Sequence, residues 1–383
     1  MTTGAKLNDR AYIAIKALAP PNDTPVWVVV DRDLEPHELA QSYISAIRHQ
    51  RDASPNTERV YAGRVALYLS HCSLTGVPWA APSPSDLGRF LHWLIEAPTE
   101  RSGPRRRSKS TANQIMTTVL ELLRHGSMHG WVDPLVVARV SSSRRLQYLP
   151  PGFDVGENNE HRTVRTKMIK FKVPDPGYDY LTDEQILTIM KRAPHARERF
   201  LVALLGETGL RVGEALGLRR EDMHFLPDSR SLGCREPGAH LHVRRRLNVN
   251  GALAKSRYPR TVPVSRGLAT VYSDYQWERD ECGASDQSDF VFVNLFRAPL
   301  GAGMKYSSTK EVFDRLAVRV GFDVRPHMFR HSAATRWIRA GKPRHVVQAL
   351  LGHASPQSMD RYFHASDAEK RAAIEHSNGW EIR

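Results

Sequence analysis

The stretch Thr208-Gly-Leu-Arg-Val-Gly-Glu-Ala-Leu-Gly-Leu218 places an arginine and a glutamate in an apolar, helical sequence context. We expect Thr208 to cap a short helix whose first turn puts Arg211 beside unpaired backbone N–H groups, a favourable place for a phosphate. Glu214 follows Arg211 by three residues, so the two side chains share one helical face and the carboxylate can hold the guanidinium. A purely structural ion pair is the alternative interpretation of this segment.

A second polar pair lies in Arg325-Pro-His-Met-Phe-Arg-His331. Pro326 favours the first turn of a helix. His327 and Arg330 then stand at positions i and i+3 on one face, where both can donate hydrogen bonds to the same anion. His331 lies off this face, and we expect it to pack or to be solvated.

Two further segments hold candidate residues whose types are unremarkable when each is taken alone. In Leu350-Leu-Gly-His353, the glycine is expected to end a helix, and Tyr362 follows on a short second helix. The sequence also predicts a small antiparallel hairpin. Strand-like alternation is present near residues 240–243 and 260–264, and the turn-forming Asn248-Val-Asn-Gly lies between them. Lys255 then lies in or beside the hairpin turn. The alternatives are a half-buried aromatic for Tyr362 and a solvated surface lysine for Lys255.

In order and spacing, these four segments resemble the catalytic domain of the tyrosine recombinases, the phage integrase family. They match its Thr-Gly-Leu-Arg-x-x-Glu, His-x-x-Arg and Leu-Gly-His motifs and its final tyrosine. The resemblance covers about residues 181–365. The helical region before it resembles the DNA-clamping domain of the family in type and position.

The resemblance implies a role for each matching residue. Arg211 and Arg330 would clamp the scissile phosphate, with Glu214 in support. Tyr362 would be the nucleophile, and His327 and His353 would be further donors or proton carriers.

Lys255 resembles the hairpin lysine of the family, which would protonate the departing 5′ oxygen. Arg257 and Arg260 are alternative alignments for that cation. One departure from the family pattern is Met328-Phe329, where Asp or Gly followed by Leu is usual. We expect these two side chains to pack or to cover the active helix.

The remaining sequence predicts a mainly α (α+β) protein of two domains. Residues 1–34 are an N-terminal segment of unknown role, and the helical periodicity of residues 35–148 predicts a helical core-DNA-binding domain. Residues 149–178 read as a basic linker. Residues 179–383 form the catalytic domain, which is expected to be mostly helical with a small antiparallel sheet and a C-terminal tail.

The charge of the chain favours a polyanionic partner. It has 55 Lys and Arg residues against 41 Asp and Glu residues, a formal net charge of +14, and such a basic balance is typical of nucleic-acid-binding proteins. Solvated surface charge is the alternative for its local basic runs. The candidate DNA contacts in those runs are Arg105, Arg106, Arg107, Lys109, Arg162, Arg165, Lys167 and Lys170.

No cofactor is expected. The three cysteines, Cys72, Cys234 and Cys282, have no metal-like spacing along the chain, which predicts ordinary thiols of a reducing compartment and no metal site. The sequence contains no glycine-rich phosphate-binding loop, so we do not expect ATP to bind. The N-terminus lacks an apolar signal core, and no apolar run approaches the ~18 residues that span a bilayer. We therefore expect a cytoplasmic, nucleoid-associated protein without a membrane partner.

The function implied by the resemblance is that of a site-specific DNA recombinase or integrase. It would cleave and rejoin strands through a 3′-phosphotyrosyl intermediate at Tyr362, without metal or ATP, for integration, excision or transposition of a mobile element. The implied partners are double-stranded recombination sites and accessory DNA-bending or directionality factors. The chain would be a monomer in solution and a homotetramer on DNA. The rival functions are a type IB topoisomerase and a DNA-binding or architectural protein that does not cleave.

Overall fold

A computed structural model describes residues 10–20, 24–51, 54–98, 106–145, 163–174, 177–254, 258–283 and 288–352 of the chain. The chain divides into two compact units, Met1–Asp175 and Pro176–Arg383. The division falls inside residues 149–178, the stretch for which the sequence predicts a linker.

The first unit begins with a β-hairpin that the sequence interpretation missed. Strands β1 (Ile13–Ala19) and β2 (Thr24–Val30) pair antiparallel. The Trp27 backbone N–H donates to the buried carboxylate of Glu58 at 2.8 Å, which joins β2 to the second helix of the unit. This long-range contact shows that part of the N-terminal segment belongs to the folded first unit.

Among the described residues, five helices follow the hairpin in the region where helical periodicity predicts a helical domain. They are α1 (Glu38–Arg51), α2 (Pro55–Thr75), α3 (Pro84–Glu96), α4 (Lys109–Met128) and α5 (Pro134–Arg139). Ser83 caps α3 and forms a reciprocal capping box with Asp86, which satisfies two backbone donors at the helix start. Helical periodicity places one apolar face of α1 in the core, where Tyr43, Ile44 and Ile47 are buried.

The end of the first unit contains a second hairpin. Strand β3 (Ser141–Arg145) pairs antiparallel with β4 (Thr163–Lys167). Beyond β4, the Asn113 side chain accepts from the Phe171 backbone N–H at 2.8 Å and donates to the Phe171 carbonyl at 2.9 Å. Part of the stretch predicted as linker is therefore bonded to the first unit.

In its described residues, the second unit combines helices with one small sheet. Its helices are α6 (Asp183–Arg192), α7 (Ala196–Thr208), α8 (Val212–Leu216), α9 (Arg266–Glu281), α10 (Tyr306–Val320), α11 (Pro326–Arg339) and α12 (Arg344–Leu351). Thr182 caps α6 and forms a reciprocal capping box with Gln185. Buried aromatic rings fill the core, and Phe200 stacks on Phe292 with ring centroids 5.4 Å apart.

The sheet has three antiparallel strands, β5 (Met223–His224), β6 (His240–Val243) and β7 (Arg260–Pro263), in that order. The predicted strands near residues 240 and 260 are confirmed, and Val243 pairs with Arg260. The Asn248 backbone carbonyl accepts a hydrogen bond from the Gly251 backbone N–H at 2.9 Å, which confirms the predicted turn. Strand β5 was missed because two residues carry no readable periodicity.

Within the part of the chain that the structure describes, no helix is both long and apolar enough to cross a membrane.

Candidate active site

The α7–α8 turn positions Arg211, although not through the predicted cap. Thr208 is the last residue of α7, and its hydroxyl donates to the Leu204 carbonyl at 2.5 Å. Gly209 then ends α7 with a φ of 61°, a conformation that favours glycine. Arg211 is itself the N-cap residue of α8. The Thr208 prediction was wrong because the helix before the turn extends through the threonine.

Glu214 lies buried between two arginines. Its carboxylate is 3.1 Å from Arg211 Nη1 and 2.8 Å from Arg260 Nη2, and it also accepts the Arg211 backbone N–H at 3.0 Å. The predicted contact between Arg211 and Glu214 is therefore present. Burial alone would raise the pKa of Glu214, but the hydrogen bonds and charge of Arg260, followed by those of Arg211, outweigh burial and lower the pKa. Glu214 thus remains a carboxylate that orients both guanidinium groups.

Arg260 also belongs to the site. From the sequence, Arg260 is only an alternative to Lys255 as the hairpin cation. Its Nε donates to the Leu350 carbonyl at 2.9 Å, and its side chain is 9% exposed. A signal for this role was present in the strand pattern. Arg260 and Val262 alternate onto the same face of β7, and Val262 is buried. A charged side chain on a buried face requires a partner.

Arg330 is buried and joins two separated segments. Its two terminal nitrogens donate to the Gly209 carbonyl at 2.8 Å and the Leu351 carbonyl at 2.7 Å. Pro326 begins α11, as predicted, and His327 is exposed on the same helix. His331 is buried, with its ring 5.2 Å from that of Tyr178, which agrees with the packing expected for it.

The two departures from the family motif, Met328 and Phe329, are both buried. The Phe329 ring lies 5.6 Å from the ring of Phe313. They therefore pack in the core, as expected for these positions.

Arg211, Glu214, Arg260 and Arg330 form what we call the arginine cluster. Arg260 and Arg330 donate to the last two carbonyls of α12, where unpaired carbonyls and the helix dipole favour cations. Gly352 ends α12 with a φ of 63°. A Cβ atom at this glycine would lie 2.7 Å from Arg260 Nη1, so the glycine also permits the close approach of the guanidinium.

The remaining predicted catalytic residues, Lys255, His353 and Tyr362, lie outside the described residues, as do Arg105 and Arg162. Among the other predicted DNA contacts, Arg165 and Lys167 lie in β4, while Arg106 and Lys170 are exposed. Arg107 donates to the Leu94 carbonyl at 3.3 Å. The ammonium of Lys109 lies 5.7 Å from the Phe171 ring centroid. Arg107 and Lys109 thus also make contacts within the first unit.

Sequence comparisons relate most of the chain to known recombinases. The phage integrase family matches residues 179–369. Transposase A from transposon Tn554 of Staphylococcus aureus is 27% identical over 354 residues, which cover 91% of this chain and 92% of the relative. Tyrosine recombinase XerA of Pyrococcus furiosus is 28% identical over 225 residues, which cover 58% of this chain and 68% of the relative.

Solved structures share the fold. An integrase of transposon Tn1549 in complex with a circular intermediate DNA has a TM-score of 0.60 at 17% identity, covering 88% of this chain and 99% of that chain. A lambda integrase dimer bound to a core site has a TM-score of 0.54 at 16% identity, covering 91% and 98%. The motifs, the matching relatives and the shared fold establish that the chain belongs to the phage integrase family of tyrosine recombinases.

Proposed function

We propose that the chain is the site-specific recombinase of a mobile DNA element and that it cleaves and rejoins strands through a 3′-phosphotyrosyl intermediate at Tyr362. As a tyrosine recombinase, the chain is an enzyme that breaks and rejoins DNA. The observation that carries the finer proposal is the convergence of three motif segments. Arg330 bonds both Gly209, two residues before Arg211, and Leu351, two residues before His353.

The arginine cluster is suited to stabilising charge that develops on a phosphodiester. In-line attack places negative charge on the nonbridging oxygens, and donors that are already oriented stabilise this charge without reorganising during the reaction. Glu214 orients Arg211, and two backbone carbonyls orient Arg330. Arg211 retains 25% exposure of its side chain, so it can reach a bound strand. His327, exposed on α11, would add a further donor.

In the proposed reaction, the phenolic oxygen of Tyr362 forms a bond to phosphorus while the bond to the 5′ oxygen breaks. The departing 5′ oxygen takes a proton from Lys255, and His353 assists in donating or carrying protons. Free tyrosine has a pKa of about 10, so its proton must leave during the attack, which the cationic site favours. The 5′ hydroxyl of another strand then attacks the phosphotyrosine, the bond from phosphorus to the Tyr362 oxygen breaks, and a phosphodiester is restored as the phenol is released with a proton. The bond energy is conserved, so the reaction needs no ATP.

The substrates in this proposal are double-stranded recombination sites at the ends of an element. Similarity to a transposase across 91% of the chain favours transposition among the uses of a mobile element. We further propose that residues 35–148 clamp DNA, that residues 149–178 connect the clamp to the catalytic domain of residues 179–383, and that the tail beyond Tyr362 belongs to that domain. The protein would act in the cytoplasm on the nucleoid, as a monomer that assembles into a tetramer on two duplexes with accessory DNA-bending or directionality factors.

The test uses nicked duplexes that carry the element ends, on which a cleaved strand cannot be rejoined. The wild-type protein should form a denaturation-resistant adduct with DNA and release a free 5′ hydroxyl. Tyr362→Phe should bind the duplex and form no adduct. Tyr306→Phe is a matched control, since Tyr306 is an exposed tyrosine at the start of α10.

Three outcomes would contradict the proposal. An adduct formed equally by Tyr362→Phe would assign the nucleophile elsewhere. Relaxation of supercoiled DNA that lacks the element ends, without strand exchange between two sites, would identify a type IB topoisomerase. Tight binding to the authentic ends with no adduct would identify a DNA-binding protein that does not cleave.

A further inference from the structure

Four potential metal ligands meet at the sheet of the second unit. They are His224 of β5, Cys234 of the following loop, and His240 and His242 of β6, and their ligand atoms all lie within 4.8 Å of one another. Cys234 Sγ is 3.3 Å from His240 Nε2 and 3.4 Å from His242 Nε2. The two Nε2 atoms are 3.3 Å apart.

The strand register explains how these residues meet. His224 pairs directly with His240 across β5 and β6. His240 and His242 are two residues apart on one strand, so their side chains share a face of the sheet. The loop then returns to this face, since Gly233 adopts a φ of 78° and the Cys234 backbone N–H donates to the Ser229 carbonyl at 3.1 Å.

The separations among three of the four ligand atoms match edges of a tetrahedral zinc site. Zinc bonds of about 2.0 to 2.1 Å to nitrogen and about 2.3 Å to sulfur give tetrahedral edges of about 3.3 to 3.4 Å between nitrogens and about 3.5 Å between sulfur and nitrogen. The observed separations of 3.3 and 3.4 Å lie close to these edges. One ion at the centre can therefore contact all three of these atoms without a rearrangement of the strands.

Hydrogen bonds on the outer side of the rings orient two histidines for this role. His240 Nδ1 lies 2.7 Å from the Gly238 carbonyl, and His224 Nε2 lies 3.2 Å from the Glu221 carbonyl. A carbonyl only accepts, so each of these nitrogens must carry the proton. The lone pairs on His240 Nε2 and His224 Nδ1 then remain for a ligand. Such outer hydrogen bonds from a ligating histidine are usual at metal sites.

The Nδ1 atom of His224 is an independent indication of a missing ligand. Its residue is only 8% exposed, and His224 Nδ1 is buried with no hydrogen-bond partner among the residues that the structure describes. Buried polar atoms nearly always have a partner, so an orphaned lone pair calls for an explanation such as an ion.

We propose that His224, Cys234, His240 and His242 bind one Zn²⁺ ion in a closed structural site. Three imidazoles and a thiolate suit zinc, whereas Mg²⁺ and Ca²⁺ prefer oxygen ligands. Four protein ligands leave no open position for a substrate, which is characteristic of a structural site. Cys234 would bind as the thiolate, and its proton would pass to solvent.

The site would tie the loop of residues 225–239 to the strands beside the arginine cluster. His242 pairs with Thr261 of β7, and Arg260 directly precedes Thr261 on that strand. The ion would thereby hold β5 and β6 together next to the strand that supplies Arg260. The spacing of the three cysteines predicts no metal site, because Cys234 has no cysteine partner nearby in the sequence and its histidine partners come from two strands.

The first experiment measures zinc by mass spectrometry of the full-length chain, purified without a histidine tag and without chelators. We expect about one zinc per wild-type chain, as in other structural sites. Cys234→Ser should retain little zinc. Cys282→Ser is the matched control, because Cys282 is also partly exposed and in the second unit but lies outside the cluster. Equal zinc loss in both variants would overturn the assignment.

A second measurement guards against a variant that fails to fold. Co²⁺ exchanged into the wild-type protein should give the absorption of a tetrahedral site together with a thiolate charge-transfer band. His242→Cys supplies a second thiolate, so it should retain the metal and strengthen that band about twofold. Wild-type protein that carries no zinc and shows no thiolate band with Co²⁺ would overturn the proposal. Neither readout depends on DNA cleavage.

Discussion

Glu214 shows how one buried residue can orient two arginines of the arginine cluster. It is fully buried as a side chain, and it contacts both Arg211 and Arg260. Burying a carboxylate is costly unless it is paired and hydrogen-bonded, and removing one partner of such a group leaves the others uncompensated. The arginine cluster therefore depends on this acid for its stability as well as its geometry.

We predict that Glu214→Gln lowers the free energy of unfolding by about 3 kcal/mol at pH 7, since it leaves two arginines without a countercharge. Glu311→Gln is the control, because the Glu311 contact with Arg297 is exposed and should contribute less than about 1 kcal/mol. Urea denaturation measures the free energy of unfolding of both variants and of the wild type. A loss in Glu214→Gln no larger than in the control would contradict the role assigned to the buried carboxylate.

The effect of Glu214→Gln should depend on pH. Because the folded-state pKa of Glu214 is lowered from its ordinary value of 4.5, its contribution to stability is fully present above that value. The contribution is lost as the pH falls through the lower folded-state pKa. The difference in unfolding free energy between wild type and Glu214→Gln should therefore shrink below about pH 4.5. A difference that stays constant down to pH 3 would contradict this.

Arg330 is held by two carbonyls in a geometry that lysine cannot reproduce. A single ammonium cannot span the Gly209 and Leu351 carbonyls in the manner of a planar guanidinium. We predict that Arg330→Lys slows single-turnover strand cleavage by on the order of a hundred- to a thousandfold, the usual cost of one lost transition-state donor. Arg336→Lys, on the same helix but bonded to Asp183 and Gly206, should cleave at nearly the wild-type rate. Equal loss in both would indicate a general effect on α11.

At the scale of elements, the C-terminal end of α12 is the point where the arginine cluster meets the segment that carries His353. Two guanidinium groups compensate its last carbonyls. Gly352 supplies both the left-handed conformation and the space for Arg260. The geometry of this helix end therefore depends on both arginines and on the glycine.

We predict that Gly352→Ala destabilises the protein more than Gly321→Ala does. Both glycines end helices with positive φ, at 63° and 79°, so both variants incur a conformational cost of about 1 to 2 kcal/mol. Only at Gly352 does the added Cβ also meet the Arg260 guanidinium, whereas nothing lies within 4 Å at Gly321. Thermal denaturation and single-turnover cleavage measure the difference. Equal effects would show that the contact with Arg260 is unimportant.

At the scale of the whole molecule, the net charge of +14 should dominate binding to DNA. Lysines and arginines that neutralise phosphates release counterions, so affinity falls steeply with salt. The exposed basic residues of the first unit, including Arg106 and Lys170, are candidates for these contacts. This electrostatic attraction to phosphates does not depend on the DNA sequence, so it would act before the recombination site is recognised.

We predict that Lys170→Gln lowers the slope of log affinity against log salt by about one, as expected for one lost phosphate contact. Lys310→Gln is the control, since Lys310 is exposed and paired with Asp314 in the second unit. Fluorescence anisotropy with a labelled duplex at several salt concentrations measures both slopes. An unchanged slope for Lys170→Gln would remove this residue from the proposed DNA contacts.

Local chemistry along the chain was sufficient to predict helices in both units and strands β6 and β7 of the small sheet. Helix caps such as Ser83 and Thr182 act within four residues, and apolar periodicity is a property of neighbouring positions. The order of the recombinase motifs is also readable without coordinates. The same local reasoning was wrong at Thr208, where a threonine that ends one helix resembles a cap for the next.

Tertiary structure alone placed Arg260 against Glu214 and gathered His224, Cys234, His240 and His242. The first contact joins residues 46 positions apart, and the second depends on strand register and on a loop that returns to the sheet. Neither leaves a periodic signal, because the partners become neighbours only when the strands pair. The physical reason is that burial and charge compensation act between segments, whereas caps and periodicity act within one.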